Sequence, residues 1–424
     1  MKLSRDELDM LDGKQGLPTQ KAMELLVKYG DALGAEKFIN VDNVYVLSGL
    51  FNYAGIFKSV DPDDVASEYF LDSSERVVVD RVKAFTTNHL FTIDLDHDHW
   101  KLVQAPQILH DLIEQTQKYL KRIGVNMTGT CTPYQTGNTP VFGEHIVWVE
   151  SSAIAYANAV LGARTNIEGI ESAFAAALTC KTPYWGFHLD ENRTGNALVN
   201  VEVDLNSVMD YDLLGYYVGS VIASDIPVYA NIGRTPNADM LKAFCAAGAS
   251  SGGIEMYHIV GVTPEARTLE EATGKKKPKR VINYGVAQRK ETYKRLNIAR
   301  DDNVDIVAIG CPHYSIRQVA QVARLLEGRK VHENTMLLVY TAKQIATVAQ
   351  RNGYTDTITK AGGYLIVDSC PLMNYHDNTS VIATDAAKIS HYYPGLREFN
   401  NVWYGSMEDC IQAAVSGKWK GELR

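Results

Sequence analysis

Three of the six cysteines lie in contexts that suit metal chemistry better than core filling. Cys131 sits in Thr130-Cys131-Thr132-Pro133-Tyr134, Cys311 in Gly310-Cys311-Pro312-His313, and Cys370 in Asp368-Ser369-Cys370-Pro371. Each falls at a predicted turn or element end, with a proline one or two residues later. Cysteines at strand ends can converge in space although far apart in the chain. Cys180 and Cys245 lie in alanine-rich, helical surroundings and Cys410 precedes Ile411, Ala413 and Ala414, so these three read as small buried thiols. Three thiolates are distinctive because a four-iron cubane held by three protein sulfurs leaves one iron open as a Lewis acid. Such a site suits dehydration, in which hydroxide must leave while a base removes a proton beside a carboxylate. Zinc is the competing reading, since thiolates with His313 or His188 would also suit it. The chain has no Cys-x-x-Cys pair, so spacing alone does not choose.

The elements that position these residues are read from periodicity. Ser4 with Glu7 predicts a capped first helix, and Pro18 starts a second that stops at Gly30. Strands are predicted over 44–50 and 77–85, and a long amphipathic helix over 106–123. Residues 131–195 are rich in Gly, Pro, Thr, Asn and Ser, a composition that suits backbone packed around a ligand. Within them, helices are predicted over 150–161 and 172–178. From Asp302 onward, strands over 304–309, 336–340 and 364–367 alternate with helices over 315–327 and 342–351, which predicts a parallel sheet. Ligands on such sheets lie beyond the carboxyl ends of the strands, where Cys311 and Cys370 fall.

The length of 424 residues predicts two or three packed units, divided here into 1–280, with the Cys131 loop, and 281–424, with Cys311 and Cys370. A formal charge of −8 gives no basic stripe for nucleic acid, and the run Gly274-Lys275-Lys276-Lys277-Pro278-Lys279-Arg280 reads as a solvated loop. No apolar run approaches the roughly 18–20 residues that span a bilayer. The amino terminus lacks the apolar core of a signal peptide. A cytoplasmic enzyme with no nucleic-acid or membrane partner is expected.

Ordered motifs identify a family resemblance. Asp12-Gly13-Lys14-Gln15-Gly16 with Gln20-Lys21-Ala22-Met23-Glu24, then Cys131-Thr132-Pro133-Tyr134, Gly143-Glu144-His145 and Glu150-Ser151-Ser152-Ala153 resemble the aconitase X family. So do Leu161-Gly162-Ala163-Arg164-Thr165-Asn166, the stretch from Tyr257 to Ala266, Gly310-Cys311-Pro312-His313 and Asp368-Ser369-Cys370. The resemblance implies an α/β, aconitase-like multi-domain architecture with parallel or mixed sheets flanked by helices. It implies a hydro-lyase whose iron–sulfur cluster is held by Cys131, Cys311 and Cys370. A 4Fe–4S cluster is favoured, with 3Fe–4S and 2Fe–2S left open. The family's substrate types are cis-3-hydroxy-L-proline and mevalonate 5-phosphate. A zinc-binding or non-enzymatic α/β protein is the alternative.

His313, Glu150 and Ser151 are the candidate catalytic residues. Glu150, Ser151 and Ser152 would equally serve to cap a helix. Gly49, Leu50, Phe51, Asn88, His89, Arg164 and Lys388 are candidate substrate contacts, with Arg164 suited either to clamp a carboxylate or to a structural ion pair. His188, His258 and Arg193 are weaker candidates. Lys388 closes Thr384-Asp385-Ala386-Ala387-Lys388, where the family has Thr-Asn-Ser-Ala-Lys. Val46 stands where the family's substrate stretch has histidine and Phe51 where phosphomevalonate-type members have serine; Thr87-Asn88-His89-Leu90 replaces a Thr-Leu-Asn-Pro-like run. The family also implies a small domain or subunit that supplies a catalytic serine. The large-subunit match ends near Gly417, and the residues from Lys418 to Arg424 are too few for a domain. A separate small subunit is therefore expected.

Overall fold

Among the residues described in this computed structural model, 1–48, 59, 61–95, 97–373, 376–398 and 400–424, the strands form four sheets. The chain opens with helices Arg5–Leu11 and Leu17–Ala32, the first closed by the expected Ser4–Glu7 capping box. The second runs past Gly30, because that residue is buried beneath Met1 and packing outweighs a propensity cost of about 1 kcal/mol. β1 (Phe38–Asn40) follows, then β2 (Asn43–Val46), β3 (Phe85–Asn88) and β4 (Ile146–Trp148), which make a parallel sheet in the order β3-β2-β4. β5 (Lys181–Pro183) pairs antiparallel with β1.

The strand expected over 77–85 is corrected to Phe85–Asn88. Val77, Val79, Val82 and Ala84 do alternate inward. However, the amides of Val82, Lys83 and Ala84 donate to Ile123 and Ala177 carbonyls rather than to a strand. The helix expected over 150–161 is an α turn at Ser151–Ala155 that widens to a π turn over Tyr156–Leu161. Helix Ile170–Thr179 starts at Gly169, not Ser172, and Cys180 ends it in a left-handed conformation, half-buried rather than inside a helix.

A second parallel sheet follows, β6 (Ala197–Val201), β7 (Pro227–Tyr229), β8 (His258–Ile259) and β9 (Arg280–Tyr284), in the order β8-β7-β6-β9. Helices Val208–Ile222 and Ala238–Gly252 share its core. The lysine run before β9 is exposed, as expected.

The last sheet is fully parallel: β10 (Ile306–Tyr314), β11 (Met336–Thr341), β12 (Gly363–Ile366), β13 (Ile382–Thr384) and β14 (Val402–Tyr404), in the order β12-β11-β10-β13-β14. Successive side chains of β10 serve two cores. Ile306 and Ala308 join the core of the amino-terminal unit, while Val307 and Ile309 pack under helices Ile316–Leu326 and Met407–Ser416. The expected strand and turn over 304–313 are one irregular strand, whose register with β11 shifts between Ile309 and Tyr314. No helix among the described residues is long and apolar enough to cross a membrane.

Candidate active site

In the five-stranded sheet the strand order reverses between β10 and β13, so their following connections diverge and open a crevice at the carboxyl ends. Cys311 lies where β10 leaves regular pairing, and Lys388 lies four residues beyond β13. Cys370 follows β12. His89 follows β3 and Glu150 follows β4 of the first sheet. Lys388 reaches across to Glu150, Nζ to Oε1 2.6 Å, so the carboxyl ends of two separate sheets meet at one place.

Two backbone features shape the cysteine loops. Gly310 has φ +105°, and a Cβ there would lie 2.3 Å from the Tyr340 carbonyl oxygen. Only glycine lets β10 kink this close to β11. Gly129 has φ +55°, and the Asp368 carboxyl occupies the place of its missing side chain, which brings the Cys131 and Cys370 loops into contact. Asn88 secures the first of these loops. Its Oδ1 accepts the amides of Thr128 (2.8 Å) and Gly129 (3.2 Å), and its carbonyl accepts the Thr128 hydroxyl.

His313 ties all three cysteine loops together. Its Nε2–H donates to the Ser369 carbonyl at 2.6 Å, which leaves Nδ1 as acceptor for the Thr130 hydroxyl at 2.8 Å. Its backbone N–H donates to Cys131 Sγ at 3.3 Å. Burial lowers its pKa to about 4, so the ring is neutral. From the opposite side the buried Lys242, on helix Ala238–Gly252, donates to the His313 carbonyl (2.7 Å) and to Gln318 Oε1 (2.6 Å).

Burial pushes the Cys131 thiol up to about 12 and the Cys370 thiol up to about 11, and it raises Cys311 well above the ordinary thiol value. Cys370 adds to the rise at Cys131, and Cys131 and Cys370 add to that at Cys311, while Lys388 acts on all three in the opposite sense. Burial also acts against ionisation of Glu150, but Lys388 and His89 outweigh it and hold the carboxyl well below its ordinary value. His89 Nε2 lies 3.3 Å from Glu150 Oε2, without the alignment of a hydrogen bond.

The structure thus brings together Cys131, Cys311, Cys370, Glu150, His89, Lys388 and His313. Ser151 opens its helix beside Glu150, half-buried, and its hydroxyl makes no hydrogen bond among the described residues. Glu150 also caps that helix, accepting from the Ser152 hydroxyl at 3.0 Å. Arg164 is elsewhere: it pairs with Asp190 and donates to the His188 carbonyl at 3.1 Å. His188 Nδ1 lies 3.0 Å from His145 Nδ1, His258 bonds the Arg193 carbonyl, and buried Arg193 pairs with Glu265. Gly49, Leu50 and Phe51 lie outside the described residues. Sequence reasoning missed Lys242 and Thr130. A lysine inside the apolar run Leu241-Lys242-Ala243-Phe244 was the available signal, since a lysine on a buried face needs partners.

Family models match nearly the whole chain in three consecutive pieces: aconitase X first domain over 1–191, second domain over 195–294 and third domain over 304–416. The chain belongs to the aconitase X family. Among relatives in this family is a protein of Methanocaldococcus jannaschii named phosphomevalonate dehydratase large subunit. It is 36% identical over 420 residues, covering 97% of this chain and 100% of that one. A protein of Pseudomonas aeruginosa named cis-3-hydroxy-L-proline dehydratase is 32% identical over 419 residues, covering 96% of this chain and 69% of that one. The crystal structure of Thermococcus kodakaraensis aconitase X, in its holo-form, superposes with a TM-score of 0.83 at 32% identity, covering 98% of this chain and 100% of that one. The expected aconitase-like α/β architecture is thereby borne out.

Proposed function

We propose that this aconitase X chain is the large subunit of an iron–sulfur dehydratase that removes water from a small hydroxy acid. The observation that carries this reading is the meeting of three cysteine loops with the Lys388–Glu150 pair where two parallel sheets present their carboxyl ends. The names of relatives support it: phosphomevalonate dehydratase large subunit and cis-3-hydroxy-L-proline dehydratase. Mevalonate 5-phosphate and cis-3-hydroxy-L-proline are the candidate substrates.

The donor set fits a cluster. The three thiols bind metal only after losing protons that burial makes hard to lose, so a multivalent cationic centre is what would hold them ionised. The resemblance of the three cysteine motifs to those of the aconitase X family, whose models span them, supports an iron–sulfur centre held by Cys131, Cys311 and Cys370. When bound, such a cluster supplies Lewis-acid stabilisation for departing hydroxide.

The chain's own residues bind and orient. Lys388 offers three N–H donors, of which Glu150 takes one, leaving others for a substrate carboxylate. Glu150 is held ionised and partnered, which suits it to fixing Lys388 rather than to accepting the substrate proton. His89 completes that pair, and the Ser151 hydroxyl is available to substrate. His313, neutral and bonded at both ring nitrogens, is a positioning residue for the cysteines. Asn88 acts in the same way on the Cys131 loop. The stretch Gly49-Leu50-Phe51 is assigned to substrate by resemblance, whereas the pairing of Arg164 with Asp190 supports the structural reading of that residue. The proton acceptor is the serine of a small subunit.

The test is an anaerobic assay of the chain with its small subunit on both candidate substrates, alongside iron and sulfide analysis. Water loss from one of them by iron-loaded protein is expected. Protein that lacks iron after reconstitution, or that carries iron and dehydrates neither compound, would overturn the reading.

A further inference from the structure

The segment Asp94-Leu95-Asp96-His97-Asp98-His99 plays no part in the proposed dehydration. It places one carboxylate and two imidazoles with ligand atoms all within 4.8 Å of one another. Asp94 Oδ2 and His99 Nδ1 are 2.8 Å apart. Two donors bound to one ion at about 2.1 Å and near a right angle stand about 3 Å apart, so this pair already has the spacing of neighbouring ligands. The rings of His97 and His99 stack with centroids 4.9 Å apart and an interplanar angle of 21°, and the edge of Tyr364 holds His99 from the side. Asp94 is buried and His97 is exposed, which gives a fixed inner ligand and an outer one open to solvent.

We propose that Asp94, His97 and His99 bind a divalent first-row transition-metal ion at a site separate from the three cysteines. Two imidazoles with one carboxylate select zinc, cobalt, iron or nickel over magnesium and calcium, which prefer all-oxygen sites. Water completes the coordination on the exposed side. The site has a structural consequence. Asp94 Oδ2 also accepts the Val367 amide (3.4 Å), and Ser369 Oγ donates to the Thr92 carbonyl (2.7 Å), so Thr92 and Asp94 back directly onto the strand end that leads to Cys370. An ion held there braces the Cys370 loop from behind.

Cobalt(II) is the probe, added to the full-length chain kept anaerobic, because its spectrum separates thiolate from nitrogen and oxygen ligands. The wild-type chain is expected to bind one equivalent that shows weak visible bands and no thiolate charge transfer. That equivalent should persist in Cys131→Ser. His97→Ala should weaken it at least about tenfold, the scale on which even outer-sphere partners of a metal act, and Asp94→Asn should do the same. Because His97 is exposed, His97→Ala keeps the fold. Cobalt should raise the melting temperature of the wild type and raise that of His97→Ala less. Equal cobalt affinity in wild type and His97→Ala, or cobalt bound only with thiolate charge transfer, would defeat the proposal.

Discussion

A buried thiol is a poor ligand until something removes its proton, and Cys131 and Cys370 are buried while Cys311 is half-buried, with burial raising all three thiols. Serine at any one of them substitutes a weak oxygen donor for a thiolate. Cys131→Ser, Cys311→Ser and Cys370→Ser should each lose most of their iron and acid-labile sulfide after anaerobic reconstitution. Cys245→Ser and Cys410→Ser should keep theirs, and full iron in Cys311→Ser would remove that residue from the ligand set. A second residue-scale expectation concerns Asp212, whose Oδ2 accepts the Ala387 amide (2.7 Å) and the Tyr404 hydroxyl (2.9 Å), next to Lys388. Burial raises its carboxyl from 3.8 to about 8. The folded chain then holds a proton that the unfolded chain has lost, so this group's stabilisation is complete below about pH 4. It declines as pH rises towards 8 and is constant above that. Asp212→Asn keeps an acceptor without the titration. Urea melts at pH 5 to 8 should show a flatter pH dependence in the variant, by at least about 1 kcal/mol across the window. Glu168 (about 7) and Asp385 (about 6) are raised by burial too, so some slope should persist.

At the scale of elements, the site depends on a strand that breaks its own ladder. β10 pairs regularly with β11 through Ile309, skips, and resumes at Tyr314, and the skipped residues carry Cys311 and His313. Gly310→Ala would force a Cβ against the Tyr340 carbonyl at a φ that alanine avoids. Loss of more than about 2 kcal/mol of stability is expected, from strain and lost packing. Iron content should fall as well, because the sulfur of Cys311 moves with the backbone. Denaturant melts and iron analysis test both, and a variant with wild-type stability and iron would show that the kink is not required. The apolar run over 304–309 was readable as a buried strand, and Ser315 as the start of a helix. The continuation of the strand through Cys311 was not, because a glycine before a cysteine and proline looks locally like a turn.

For the molecule as a whole, three parallel sheets lie along one chain, and the site forms between the first and the last of them. Helix Ala238–Gly252 of the middle unit touches the site through Lys242 alone among the contacts described above. With the proton acceptor assigned to another subunit, the isolated chain should bind iron yet turn over substrate very slowly. Adding a partner of roughly 130 residues, a common domain size, should give a stable complex and restore dehydration. Sedimentation and an anaerobic assay on both samples measure this, and full turnover by rigorously partner-free chain would place the base within this chain.

Much of the element order, and the chemistry available to it, could be read from the sequence. Periodicity marked the parallel carboxy-terminal sheet, and turn context with ordered motifs separated Cys131, Cys311 and Cys370 from Cys180, Cys245 and Cys410. Those signals are local, set within a few residues by burial, capping and turn geometry. Only the tertiary structure decided which polar residues share a site. It joined Glu150 to Lys388 across 238 positions and His313 to Thr130 across 183. It drew Arg164 away to Asp190 and turned Asn88 into a backbone clamp. Pairings of this kind depend on how two sheets face each other at their carboxyl ends, and no short window of sequence contains that information.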